Sequence, residues 1–506
     1  FDMPSYSPRE SCVLCFHLAR EEQQPRAPAG QRAGRCLIHA SEKERKNMNG
    51  GVRVKDKFRS AYTPEQWLGV QIEAMGAERF YDKTPISGWQ IRTAIYNRPG
   101  DYKWIDGKWR SYSPGEIWGG AGLTAFFRCG FRVPKSWSGA RVMLRLKPGG
   151  EGLLKLNGAP LAGLDINHDT VYATERARAG DLFKLEIEQN STEMEIAGFE
   201  HKFELCEAVL LDREVEDAYI DFKCAYATLL SEYSAADLKA FLFKEISAAV
   251  ALADFHAADR GAFRESLSAA RAALRKAVID SSAFPGAGSL GMVGHSHIDL
   301  VYQWGYREFL RKIGRTHSTA LNMTREFPDY IFSQSQMKLY EDLKTLYPEI
   351  YDGIKQRVRE GAWEVLGGMW VEPDCNLISG ESLIRQFLHG RAFASSEFGA
   401  ESPICWLPDV FGNSWIMPQI LLGCGVRFFI TNKPVTWNDT NEFPHNTFWW
   451  EGPDGSRVFA HLPSTHFGAV VEPDTLMKNW KEYKQQAHCG IAMYNYGKGD
   501  GRGGPM

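Results

Sequence analysis

The sequence predicts an α/β protein in three parts: an N-terminal β-sandwich, a helical connector and a parallel α/β domain. Three changes of texture along the chain carry that expectation. From about 115 to 210, short runs of alternating apolar and polar residues are separated by Gly-Gly and Asn-Gly turns, the pattern of half-buried antiparallel strands. From 207 to about 278 the apolar spacing becomes helical. After 288, strand-like and helical stretches alternate in units of βα length, which implies a parallel sheet, open or closed into a barrel.

Taken in order, residues 1–50 read as a disordered or artefactual tail, because "AREEQQPRAPAGQRAG" and "SEKERKNMNGG" are polar and Pro/Gly-rich with little to bury. Residues 51–206 form the N-terminal region that holds the sandwich, with strands expected in "TAFFRCGFRVP", "ARVMLRLKPGGEGLLKLNGAPL" and "DLFKLEIEQNS". Residues 207–287 are the helical connector, carried by "SAADLKAFLFKEISAAVALADFH" and "FRESLSAARAALRKAVID", and "SSAFPGAGS" reads as a linker. In 288–506, "SLGMVGHSH", "YIFSQSQ", "AWEVLGGMWVE", "PICWLPDVFG" and "VRFFITN" read as extended. "REFLRKIGRTHSTALNMTREF", "MKLYEDLKTLYPEIYDGIKQRVREG", "GESLIRQFLHGRAFASSEF" and "MPQILLGCG" read as helical.

Composition excludes some classes. Fifty-nine basic against 62 acidic residues leave a net charge of −3, which gives no electrostatic footprint for nucleic acid or an anionic membrane. No apolar run reaches the length of a membrane span. The ten cysteines are scattered, with a single Cys-x-x-Cys pair at Cys12 and Cys15 and no matching second pair, so buried thiols in a reducing, cytoplasmic setting are expected. Fifteen Trp, 19 Tyr and 29 Phe suit a protein that packs rings against sugar faces, or a large core. The sequence leaves room for a homo-oligomer.

Chemistry concentrates at Val293–Asp299, "VGHSHID". In an extended chain, side chains two apart project to one side, so His295, His297 and Asp299 are expected to converge just past a strand end. Imidazole and carboxylate together suit zinc, which takes nitrogen and oxygen ligands at about 2.0–2.2 Å. In parallel α/β sheets, functional groups sit where strands run into helices. Asp409 in "WLPDVFG" and Asp500 after "IAMYNYG" occupy such ends, so a shared site on one rim is expected. Two metal chemistries remain open on the residues alone. One is an amidohydrolase-like metal hydrolase, which needs further His, Lys and Asp ligands on later strands; His389 sits in a helical stretch and His445 and His461 flank a Trp-rich segment, none of them at a clear strand end. The other is a carboxylate set of Asp299, Asp409 and Asp500 for glycoside hydrolysis. Gly499–Gly504 satisfies G-x-G-x-x-G, but Pro505 follows in place of a helix, so no dinucleotide site is expected.

"GHSHID", "WLPDVFGNS", "FPHNTFWWEGPDGSRV" and "GKGDGRGGP", in that order, resemble glycoside hydrolase family 38, the zinc-dependent retaining α-mannosidases, and above all their cytosolic and bacterial type. "WGGAGLTAFFRCGFRVP" is similar to that family's N-terminal β-domain. The resemblance implies a barrel-like catalytic domain over 288–506 and an exo-α-mannosidase that removes terminal mannose from oligosaccharides by double displacement. It implies one zinc per subunit on His297, Asp299 and Asp409, with Asp409 also the nucleophile and Asp500 the acid/base. Tyr302, Trp304 and His445 are the implied substrate-binding residues. Three departures stand out. Tyr302 replaces the family's usual Trp, Arg502 replaces a glycine, and the family's fourth zinc ligand, a His, falls beyond Met506. The chain therefore reads as the N-terminal half of a longer protein, or as a catalytically dead sugar-binding or scaffold homologue.

Overall fold

The computed structural model describes residues 62–191, 199–284, 286, 288–499 and 503–504; the expected tail over 1–50 lies outside the described residues. Two antiparallel sheets form the sandwich. One runs Phe80–Pro85, Leu205–Leu211, Val142–Lys147, Thr170–Thr174; the other runs Asp101–Trp104, Gln90–Arg98, Leu123–Arg132, Leu182–Asn190, Glu151–Leu156, Ala159–Leu164. In "LFKLEIEQN" every second residue, Phe183, Leu185 and Ile187, points into the core, where Trp89, Phe127, Trp137 and Phe203 are also buried. The Asn157-Gly158 turn has both residues at positive φ, 54° and 88°, as a two-residue hairpin of matching twist requires.

Four helices, Pro64–Ala77, Arg213–Leu230, Ala236–Val250 and Arg260–Leu274, share a second core. The first of them departs from the sequence expectation, which placed 64–77 in the β-sandwich region. Its start signal is a capping box between Thr63 and Gln66 with Pro64 at the first position, and Leu68, Ile72 and Met75 bury against the connector helices. The expected boundary at 206/207 also falls inside a strand, Leu205–Leu211.

The α/β domain contains strands β1 (Ser289–Gly294), β2 (Phe332–Gln334), β3 (Trp363–Val365), β4 (Ile404–Leu407), β5 (Phe428–Thr431), β6 (Thr447–Glu451), β7 (Arg457–His461) and β8 (Ile491–Tyr496). They do not form one sheet. β3, β2, β1 and β8 make a parallel sheet, and β4, β5 and β7 make another with β6 antiparallel at its edge. The ladder is broken between β3 and β4, where Gly367 and Gly368 turn the chain at φ 93° and 71°. It is broken again between β7 and β8, across which Ala469 bridges Tyr496. A closed hydrogen-bonded barrel is therefore not what these strands make. The single helix expected over 337–360 is likewise two, Met337–Leu346 and Pro348–Glu360, because Pro348 excludes the helical conformation at Tyr347.

The helix after β1, Tyr306–Glu326, is the seam between sandwich and α/β domain. Its Arg311, Lys312 and Arg315 are buried and meet carboxylates: Lys312 Nζ lies 2.6 Å and Arg315 Nη2 2.9 Å from Glu151 of the sandwich. Arg311 Nη1 donates to Thr124 Oγ1 at 2.8 Å and lies 3.7 Å from Glu188. Glu308 is half-buried among them, and against the desolvation that raises it, Arg315, Arg311 and Lys312 hold its carboxyl down to about 2. At the other end of the helix Glu326 lies 3.4 Å from Arg141. Burial pushes its carboxyl up to about 7, Arg141 and Arg213 pulling it down while Glu216 and Glu175 add to the rise.

A carboxyl raised in the folded state binds its proton more tightly than the unfolded chain does, so its contribution is favourable at low pH and is lost as pH rises through about 7. Glu326→Gln should therefore flatten the decline in stability between pH 5 and 8, with a gain on the order of 1–3 kcal/mol at pH 8. Thermal melts of both proteins across that range check it.

Candidate metal centre and active site

The chain leaves β1 through five residues without regular structure, His295–Asp299. His297 is 1 % exposed, with Nε2 3.2 Å from Asp299 Oδ1 and 3.4 Å from Asp409 Oδ2. Asp409 follows β4, so the two halves of the cluster come from different sheets and not from the rim of one. One ligand atom each from His297, Asp299 and Asp409 lies within 4.8 Å of the others.

Burial alone would keep the His297 imidazole neutral, but Glu372, Asp299 and Asp409 around it raise its pKa well above the usual value. Asp409 is held below the usual carboxylate range despite its burial by His297 and by Lys433, whose ammonium touches Asp409 Oδ1. One imidazole nitrogen facing two carboxylates is a donor set for a divalent cation, and the excess negative charge that raises His297 suits a cation between these atoms.

A second layer holds the three in place. Glu372 Oε1 lies 3.5 Å from His297 Nδ1, and Oε2 accepts a long hydrogen bond from Asp409 N at 3.4 Å, so one buried carboxylate links ligands from both sheets. Gln336 accepts from Glu372 N at 3.2 Å and donates to Ile298 O at 3.0 Å. It does so at φ 67°, a strained conformation for a residue with a Cβ and one that clusters at functional sites. Gly499 packs on His297, where a Cβ would come within 3.3 Å of the histidine's own.

Not every expected residue joins the cluster. His295 turns into the core, its Nδ1 2.9 Å from Ser333 O and its ring 4.4 Å from Trp406; burial pushes its pKa down to about 3. The extended-chain argument failed for it because the segment is irregular. Trp304 is 7 % exposed and donates its indole N–H to Asp299 O at 3.2 Å; it braces the Asp299 backbone, and its burial leaves little face for a sugar. Tyr302 is 55 % exposed beside it. His445 is exposed ahead of β6, and His389 is exposed on the helix Gly380–Phe398. His461 is bonded to Thr447 at 2.8 Å. None of these three histidines is in the cluster found among the described residues, which removes the ligands the amidohydrolase reading needed. Asp500 and Arg502 lie outside the described residues.

The sequence reading missed Glu372, Gln336 and Lys433, and with Lys433 the rings around it: Phe411, Trp437 and Phe467 at 4.2, 5.4 and 5.7 Å. Phe411 and Trp437 are widely exposed and form an aromatic lip next to Asp409. The strand-end rule that singled out Asp409 would have found Lys433, just beyond β5; Glu372 stands well past the end of β3 in irregular chain, where that rule gives no signal.

Residues 288–506 match the glycosyl hydrolases family 38 N-terminal domain, and residues 84–211 match an alpha-mannosidase jelly roll domain. The chain carries a family 38 N-terminal domain. Similar proteins include Alpha-mannosidase 2C1 of Mus musculus, 33% identical over 417 residues that cover 78% of this chain and 39% of the relative. An Alpha-mannosidase of Saccharomyces cerevisiae is 39% identical over 221 residues, 42% of this chain and 20% of the relative. Among solved structures, an alpha-mannosidase from Enterococcus faecalis V583 aligns with a TM-score of 0.38 and 22% identity over 42% of this chain and 25% of that one. The chain thus spans well under half the length of the curated relatives it matches. The whole metal cluster lies within the stretch that matches the family 38 domain.

Glu372→Ala should cost the family 38 domain about 10- to 100-fold in divalent-metal affinity, the usual effect of removing a partner behind a ligand histidine. Chelator competition measures it; unchanged affinity would mean that Glu372 serves folding alone.

Proposed function

We propose that this chain carries the catalytic centre of a retaining α-mannosidase that removes terminal α-linked mannose from oligosaccharides, with zinc held by His297, Asp299 and Asp409. The observation that carries the reading is the convergence of these three side chains within 4.8 Å, inside the stretch that matches family 38. Bound zinc would supply electrostatic stabilisation and hold sugar hydroxyls.

The chain's own groups supply the rest. Asp409, kept anionic by His297 and the Lys433 ammonium, attacks the anomeric carbon and forms a glycosyl ester. Asp500 gives its proton to the departing glycosidic oxygen, then takes one from the water that attacks the ester. Two inversions at one carbon leave the configuration retained. Tyr302, Phe411 and Trp437 offer exposed aromatic faces around the carboxylates, which suits a pyranose. A reducing, cytoplasmic setting belongs to the same reading and is supported by free thiols at Cys129, Cys206, Cys224, Cys375, Cys405, Cys424 and Cys489. Among the described residues no helix is long and apolar enough to cross a membrane.

In the protein at the full length of its relatives, Asp409→Ala should lower kcat/KM on an aryl α-mannoside by about 10⁴-fold or more. Asp500→Ala should remain reactive toward dinitrophenyl mannoside, whose leaving group needs no proton, and fail on a disaccharide. Azide should then yield a mannosyl azide of retained configuration. Equal loss on both substrates with no azide product would remove Asp500 from the acid/base role.

A further inference from the structure

The sandwich reaches the metal cluster by one short path. Glu151, the first residue of its strand Glu151–Leu156, lies 2.6 Å from Lys312 Nζ, with only 4 % of the lysine side chain exposed. That ammonium sits 4.4 Å from the centroid of the Trp304 ring, and Tyr302 packs edge-on against the same indole at 5.5 Å. With the ring fixed, Trp304 Nε1 donates to Asp299 O at 3.2 Å, and the Asp299 carboxylate faces His297 at 3.2 Å.

We infer that Lys312, clamped by Glu151 of the sandwich, is a positioning residue for the metal ligand Asp299, acting through Trp304. The inference rests on the metal reading above. Two features favour it over a simple interface ion pair. Glu151 already has a cationic partner in Arg315 at 2.9 Å, so Lys312 is not needed to neutralise it. The Asp299 loop has no regular secondary structure of its own, so its backbone depends on side-chain bonds such as the one from Trp304. A cation over an indole face is attractive, most strongly when desolvated, and so favours one orientation of the ring.

The test compares wild type, Lys312→Met, Lys312→Arg and Trp304→Phe in the 506-residue chain. Zinc dissociation constants come from chelator competition, and melting temperatures are taken in EDTA. Lys312→Met leaves Glu151 paired with Arg315, and Trp304→Phe keeps the ring and removes the N–H. Each should weaken zinc binding by about tenfold, the low end of outer-shell effects, and Lys312→Arg should stay within about twofold of wild type. Because the two act in series, Lys312→Met with Trp304→Phe should weaken zinc no more than the larger single change. A purely structural role would lower the EDTA melting temperature and leave zinc affinity where it was; that result overturns the inference and leaves the metal reading standing. Wild type that takes up no zinc would overturn both.

Discussion

Three cations on one buried helix are the constraint on which the rest of the structure depends. Arg311, Lys312 and Arg315 are at most 7 % exposed, and a charge taken out of water is tolerable only where opposite charge meets it. Glu308 comes from the same helix, but Glu151 and Glu188 come from the sandwich. Removing one side of such a set costs about 3–5 kcal/mol because it strands a buried charge. The α/β domain is therefore built to be completed by the sandwich. The helix that carries the cations starts at Tyr306, a short loop after Asp299, so the seam fixes the orientation of the segment that leaves β1.

The site shows why such fixing matters. Its three side chains stand on irregular backbone after strands of two separate sheets, and no shared ladder sets their spacing. Side chains do it instead. Glu372 touches His297 from one sheet and Asp409 from the other, Gln336 ties Glu372 to Ile298, and Lys433 steadies Asp409. The arrangement concentrates negative charge around one imidazole, a configuration that wants a cation at its centre.

Much of this was legible in the sequence wherever local chemistry decides the outcome. Period-two alternation placed the sandwich strands, and the helix Gly380–Phe398 was readable from its own residues. His297, Asp299 and Asp409 were legible because residue types and strand ends both pointed to them. What escaped depends on tertiary context. Nothing within Tyr306–Glu326 itself shows that Arg311, Lys312 and Arg315 are buried; only Glu151 and Glu188 of the sandwich make that burial tolerable. His295 and His297 are alike in spacing and type, yet one caps Ser333 in the core and the other faces carboxylates. Trp304 looked like a sugar platform until its burial and its bond to Asp299 showed it to be a brace. The break of the ladder after β3, made by two glycines at positive φ, left no periodicity to detect.

The central claim is that His297, Asp299 and Asp409 form one cation site for zinc. Zinc K-edge absorption on the metal-loaded chain tests it most directly. The account predicts a first shell of nitrogen and oxygen only, at about 2.0–2.2 Å, with the multiple-scattering signature of a single imidazole. That signature should vanish in His297→Ala. A sulfur shell at about 2.3 Å, or two or more imidazoles, would contradict it.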